Sequence, residues 1–264
     1  MIHNTFHDVD TGTWTHVFAC PTESTCIVID SVLNYDAETK TTNTESIDQV
    51  IALIETNDWQ LKYILETHAH ADHLTAAQIL KQRLGGEVCI GRGIVEVQQT
   101  FKDRLPLGDD FKADGSDFDL LLSEGDVLCC GRFPIEVMTT PGHTSDSLTY
   151  LIEDFAVIGD TLFHPDSGSA RCDFPGGDAA VLYHSIKKIL SLPADTKLCL
   201  AHDYPENRAA VATVSVAEQK ESNIHCKTPF EAEQYIAIRT QRDAQLDPPK
   251  LIKPSLIHNV KAGH

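Results

Sequence analysis

The sequence predicts an α/β (α+β) protein, a four-layer αββα sandwich of two mixed β-sheets flanked by helices. Two observations carry that expectation. Apolar runs of strand length cluster early in the chain and recur in its second half, and helical runs follow each cluster. A simple parallel sheet would alternate the two kinds of element from end to end. The 264 residues contain no linker, low-complexity stretch or repeat. They read as a single domain, 1–264, with a C-terminal helical extension from about residue 205.

Taken in order, WTHVFACP and TCIVIDSV read as strands, Thr44 to Thr56 as a helix and YILET as a strand. The segment LTAAQILKQRLGG has apolar residues at Leu74, Ala77, Ile79, Leu80 and Leu84 and a stop at Gly85 and Gly86, which predicts an amphipathic helix. EVCIG is a short strand, and Leu107 to Ser123 is a polar stretch rich in Asp and Gly. Strands resume with FPIEVMTT, SLTYLIED and FAVIGD, then a helix at GGDAAVLYHSIKKILSL and a strand at KLCLAHD. Helical runs at Ala209 to Gln219 and Pro229 to Arg242 follow.

A formal net charge of −18 argues against nucleic acid or an anionic membrane as partner, since both need a basic face. It leaves a small anionic substrate open. The first residues, MIHNTFHDVD, have no basic flank or apolar core of a signal peptide, and no apolar run approaches bilayer length, so a cytoplasmic location is expected. The eight cysteines form no CxxC pair and sit in apolar segments such as DVLCCG, which predicts reduced, mostly buried thiols.

ETHAHADHLTAA, Glu66 to Ala77, places His68, His70, Asp72 and His73 within six positions. Imidazoles and carboxylates packed so tightly need a positive guest, and a metal is the natural one. The cluster follows the apolar run LKYIL and precedes the helix, so it lies on a strand-to-helix turn, where α/β sheets bind ligands. His143 after IEVMTT, Asp160 at the end of FAVIGD and His202 at the end of KLCLAHD supply further donors at strand ends.

Together ETHAHADHL, TTPGHTSDS, VIGDTLF and CLAHDY resemble the metallo-β-lactamase superfamily, in the expected order, from about Val17 to Tyr204. The resemblance implies that fold, with the site at one edge between the sheets. It also implies the ligand pool His68, His70, Asp72, His73, His143, Asp160 and His202. With zinc, His68, His70 and His143 would hold one ion, Asp72, His73 and His202 a second, and Asp160 would bridge them for thioester or other acyl hydrolysis. With Fe(II), one per chain, His68, His143 and Asp160 would form a facial triad with open positions, and the other four would orient it.

SARCDFPGGDA and the ending PKLIKPSLIHNVKAG are similar to glutathione-persulfide dioxygenases and their bacterial relatives, and nothing matches the helical glutathione-binding domain of glyoxalase II. The oxygenase is therefore the first expectation and a dinuclear zinc hydrolase of a glutathione thioester the alternative. Asp160 stands where the best-known secreted zinc β-lactamases place a cysteine, which argues against a β-lactamase. The expected partner is a glutathione-based thiol or persulfide, and a homodimer is the candidate assembly. For substrate contacts, Arg171 suits a glutathione carboxylate or else an internal bridge to Asp173 or Asp178. Tyr204 suits a hydroxyl donor or a pocket wall, and Arg239 and Arg242 read as a solvated helix face.

Overall fold

The computed structural model describes residues 1–205 and 207–264. Its early strands are β1 (Ile2–Asp8), β2 (Thr13–Cys20), β3 (Thr25–Ile29), β4 (Val32–Asp36) and β5 (Thr41–Asn43), then β6 (Gln60–Leu65), β7 (Leu74–Thr75), β8 (Glu87–Gly91) and β9 (Leu120–Leu122). The helices among them are α1 (Glu45–Thr56), α2 (Ala77–Leu84) and α3 (Ile94–Phe101). The second half holds β10 (Val127–Cys130), β11 (Phe133–Thr139), β12 (Leu148–Ile152), β13 (Phe155–Val157), α4 (Ala179–Leu190), β14 (Lys197–Cys199) and β15 (Thr213–Ser215). Helices α5 (Val216–Ser222), α6 (Ala232–Asp243) and α7 (Ile252–Asn259) end the chain.

Two mixed sheets result, in the orders β1-β2-β3-β6-β8-β9 and β10-β11-β12-β13-β14-β15, beside a small sheet β5-β4-β7. Strand alternation assembles the layers. In β3, Ile27 and Ile29 join Ile135, Val137 and Tyr150 of the second sheet in one core, while Cys26 and Val28 point the other way, into the core beneath α1 and α2. A third core packs α4 and α6 on the outer face of the second sheet, around Leu182, Ile186 and Tyr235. This is the αββα sandwich that the order of elements predicts, and a metallo-β-lactamase fold.

Differences are local. Ala209 to Gln219 is not one helix: Thr213 to Ser215 pair with Lys197 to Cys199 as an edge strand, and α5 starts at Val216 behind a Ser215–Glu218 capping box. Leu74 and Thr75 belong to β7, so α2 starts only at Ala77. Strands β1, β4, β5, β9 and β10 and helices α3 and α7 add to the elements read from sequence, and β9 lies at the end of the stretch read as polar, where Leu120–Leu122 pair with β8. Seven cysteines are buried and only Cys129 is exposed; all eight are free thiols. Among the described residues no helix is long and apolar enough to cross a membrane.

Candidate metal centre

The loop Glu66 to His73 leaves the carboxyl end of β6, and its backbone is held at nearly every step. Tyr150, fully buried, donates its hydroxyl to the Glu66 carbonyl at 2.7 Å. Thr67 N–H donates to Asp30 Oδ1 and Ala69 N–H to Asp146 Oδ2, both at 2.8 Å. From α7, Asn259 Nδ2 donates to the His70 and His73 carbonyls at 2.8 Å each, and its Oδ1 accepts from Thr75 N–H at 2.9 Å. The other donors follow β11, β13 and β14, so all of them gather at one end of the sandwich.

Two glycines set the remaining loops. Gly142, at φ 131°, lies so close to α4 that a Cβ would come within 2.3 Å of Leu182 N. Gly159, at φ 51°, would drive a Cβ to 2.8 Å from Thr67. A side chain at the first would push the His143 loop off α4, and one at the second would push the Asp160 strand end off the loop that carries His68.

The seven donors form two adjoining groups. His68, His143 and Asp160 make one, and His70, Asp72, His73 and His202 the other. Asp160 faces both: its Oδ2 is 3.9 Å from His68 Nε2 and 3.7 Å from His143 Nε2, and its Oδ1 is 3.3 Å from His202 Nε2. Asp72 Oδ2 lies 3.1 Å from His202 Nε2.

Outer contacts orient the rings. His143 Nδ1 donates to the Arg171 carbonyl at 2.7 Å, an atom that only accepts, so Nε2 carries the lone pair. Thr67 gives its hydroxyl hydrogen to Asp30 Oδ2 at 2.9 Å and accepts from His68 Nδ1 at 3.0 Å, again freeing Nε2. His202 Nδ1 meets Thr13 Oγ1 at 3.2 Å. His70 is turned round, with Nε2 3.1 Å from Asp30 Oδ1 and 3.7 Å from Glu66 Oε2 and Nδ1 toward the group, and neither nitrogen has a hydrogen-bond partner.

The charges call for a cation. Burial pushes the Asp160 carboxyl up to about 7, against the pull of His202, with Asp72 and Asp30 adding to the rise. Burial also opposes the charge on Asp72, but His202, His73 and His70 outweigh it and hold that carboxyl well below its ordinary range. Burial, then neighbouring rings, keeps His68 and His70 neutral, and burial lowers His143 too. His68 Nε2, His70 Nδ1, His73 Nε2, Asp160 Oδ1 and His202 Nε2 are buried without a hydrogen-bond partner. Four orphaned imidazole nitrogens and an orphaned carboxylate oxygen, gathered beside Asp72, fit a metal ion and little else.

A cavity of about 320 Å³ opens on this group, lined by Asp72, His143 and Asp160 at its floor and by Phe163, Phe174, Leu246 and Pro249 at its walls. Arg171 lines it but its guanidinium is occupied: Nε and Nη2 clasp Asp173, at 2.6 and 2.7 Å, and Nη1 donates to the Asp247 carbonyl at 2.7 Å. Of the two roles read for Arg171 from sequence, the structure has the internal bridge, with Asp173 rather than Asp178. Tyr204 also lines the cavity, its ring parallel to His202 and its hydroxyl 3.4 Å from Asp72 Oδ2. Arg239 is buried and bound to Asp243 and the Ser169 carbonyl. Arg242 is exposed on the cavity rim, and its guanidinium makes no hydrogen bond or ion pair among the described residues.

Sequence reasoning passed over Asp30, Glu66, Thr13, Thr67 and Asn259, and its solvated face holds for the exposed Arg242 but not for Arg239, which is buried because Asp243 and the Ser169 carbonyl take up its charge and hydrogen bonds. A buried acid just before the histidines, Glu66, was the one visible signal.

The chain belongs to the metallo-beta-lactamase superfamily, whose family profile matches residues 9–202. It is 44% identical over 269 residues to a probable metallo-hydrolase of Burkholderia pseudomallei, covering 98% of this chain and 92% of that one. It is 41% identical to glyoxylase B2 of Dictyostelium discoideum, covering 98% and 89%. The crystal structure of ETHE1 from Myxococcus xanthus superimposes with a TM-score of 0.80 at 28% identity and covers 100% of both chains.

Proposed function

We propose that this chain is an Fe(II)-dependent dioxygenase that converts glutathione persulfide, O2 and one water to sulfite and glutathione. The observation that carries the reading is where the two persulfide-dioxygenase-like segments lie. Ser169, Ala170, Arg171 and Phe174 wall the cavity beside His143 and Asp160, while Asn259 clamps the loop that bears His68. The full-length likeness to ETHE1 adds support.

In this reading His68 Nε2, His143 Nε2 and Asp160 hold one iron. Fe(II) supplies the one-electron chemistry that lets ground-state O2 react with a sulfur anion. The protein does the rest. Apolar walls at Phe163, Phe174 and Leu246 strip water from the sulfur end, and Arg242 offers its guanidinium to a glutathione carboxylate at the rim. Asp72, His73, His202 and His70 keep the triad oriented. Tyr204 stands where its hydroxyl reaches the floor of the cavity.

A dinuclear zinc hydrolase of a glutathione thioester is the second reading. What favours it is Asp160, whose two oxygens face the two donor groups as a bridging carboxylate would. The names of the Burkholderia and Dictyostelium relatives point the same way. Metal analysis beside oxygen uptake separates the two. The first reading requires about one iron per chain and O2 consumption with glutathione persulfide. Two zinc ions in active protein, with thioester cleavage and no O2 uptake, would overturn it.

A further inference from the structure

Away from the candidate centre, one other set of metal-type donors converges, and it includes a thiol. His3 on β1, His16 on β2 and Cys199 on β14 place their donor atoms within 4.8 Å of one another, where the first strands of one sheet meet the fifth strand of the other. His16 and Cys199 are fully buried, and His3 is half-buried, stacked on Phe18 with ring centroids 4.3 Å apart.

We propose that His3, His16 and Cys199 form a second metal site for a thiophilic divalent cation of the zinc class, with the cysteine bound as thiolate and its proton released to solvent. The orientation of His16 is the main argument. Its Nε2 lies 2.9 Å from the Leu200 carbonyl, so that nitrogen carries the hydrogen and Nδ1 presents its lone pair to His3, with the Cys199 thiol within 4.8 Å. His3 Nε2 donates to that Nδ1 at 3.1 Å. Tetrahedral zinc at about 2.0–2.1 Å from each nitrogen holds them roughly 3.4 Å apart, so a slight rotation of His3 and a shift of its hydrogen to Nδ1 admit the ion.

The surroundings keep the two imidazoles in the neutral form that ligates a metal. Burial, with Lys197 adding to it, holds His3 at about 4, and burial holds His16 at about 4, so both rings are neutral at pH 7. The nearby Lys197 is itself paired with Asp154 at 2.8 Å. Burial pushes the Cys199 thiol up, so only a metal would draw off its proton. Three protein donors leave the fourth position to water on the half-exposed His3 side. A bound ion would tie β1, β2 and β14 together behind Leu200, two residues before His202.

Cobalt(II) added to the purified, iron-loaded protein tests this, because the seven residues of the candidate centre include no cysteine. The expected result is a near-ultraviolet thiolate-to-cobalt charge-transfer band that saturates at one equivalent. It should be lost in Cys199→Ser and in His3→Gln, with cobalt content falling by that equivalent. His3→Gln changes only a half-exposed edge residue, so it decides the matter if Cys199→Ser folds poorly. Absence of the band in the unmodified protein, or its persistence at full strength in either folded variant, overturns the site.

Discussion

His143 is bound to the backbone of Arg171: its Nδ1 donates to that carbonyl at 2.7 Å, while the Arg171 side chain reaches the other way to clasp Asp173 and the Asp247 carbonyl. One residue thus ties a candidate ligand to the cavity wall and the wall to the segment after α6. Arg171→Ala should therefore act as a loosened brace. The partly exposed pair stabilises by roughly 1–2 kcal/mol, so the expected outcome is a Tm a few degrees lower and reduced metal content, with KM nearly unchanged. A raised KM at full metal content would return Arg171 to direct substrate contact.

Arg242 takes the opposite pattern. Its guanidinium faces the rim with no partner among the described residues, and Arg239, one turn earlier, is committed to Asp243. Arg242→Ala should raise KM for the glutathione substrate about 10-fold or more, with kcat almost unchanged, because the contact lies far from the reacting sulfur. Equal falls in kcat and kcat/KM would contradict this.

His73→Ala distinguishes the two metal readings. In the iron reading His73 is an orienting group, and its loss should cost about 10 to 100-fold in affinity or activity while the iron content of saturated protein persists. If metal content instead drops by one ion, the dinuclear reading gains.

Asn259→Ala probes the clamp from α7. The side chain makes three hydrogen bonds to the loop between His70 and Thr75 and is buried. Removing it leaves two buried carbonyls and an N–H unpaired, a cost of about 1–3 kcal/mol or more. Lower Tm and weaker metal retention are expected, measured by chelator-driven loss; unchanged retention would make the clamp incidental.

The donors themselves were legible because each stands at the end of an apolar strand run, and four of them lie within six residues. Their supports were not. Asp30, Thr13 and Asn259 are single polar residues in distant segments, and only the pairing of β2 with β3 and of β3 with β6, and the packing of α7 against β7, bring them to the loop. Helix α7 was hidden by Pro254 in its first turn and by an irregular apolar pattern. The run Ala209 to Gln219 contains good helix formers, but β14 offers Thr213 to Ser215 an open edge, and that pairing overrides local preference. Arg242 could be told from Arg239 only once the partners of both were visible.

His225 gives the pH dependence of the cavity wall. Its Nδ1 accepts from Ser169 N–H at 2.9 Å, which requires the neutral ring. Burial, then Arg239 and Arg242, lowers it from an ordinary 6.5 to about 4. The folded value lies below the unfolded one, so the contribution is complete above pH 6.5 and is lost as pH falls toward 4. His225→Gln keeps an acceptor and removes the titration. Its Tm should therefore fall less steeply than that of the unmodified protein across that window, since the proton uptake that favours unfolding is gone. Parallel slopes would mean that the acid sensitivity lies elsewhere, and that the Ser169 loop is held without His225.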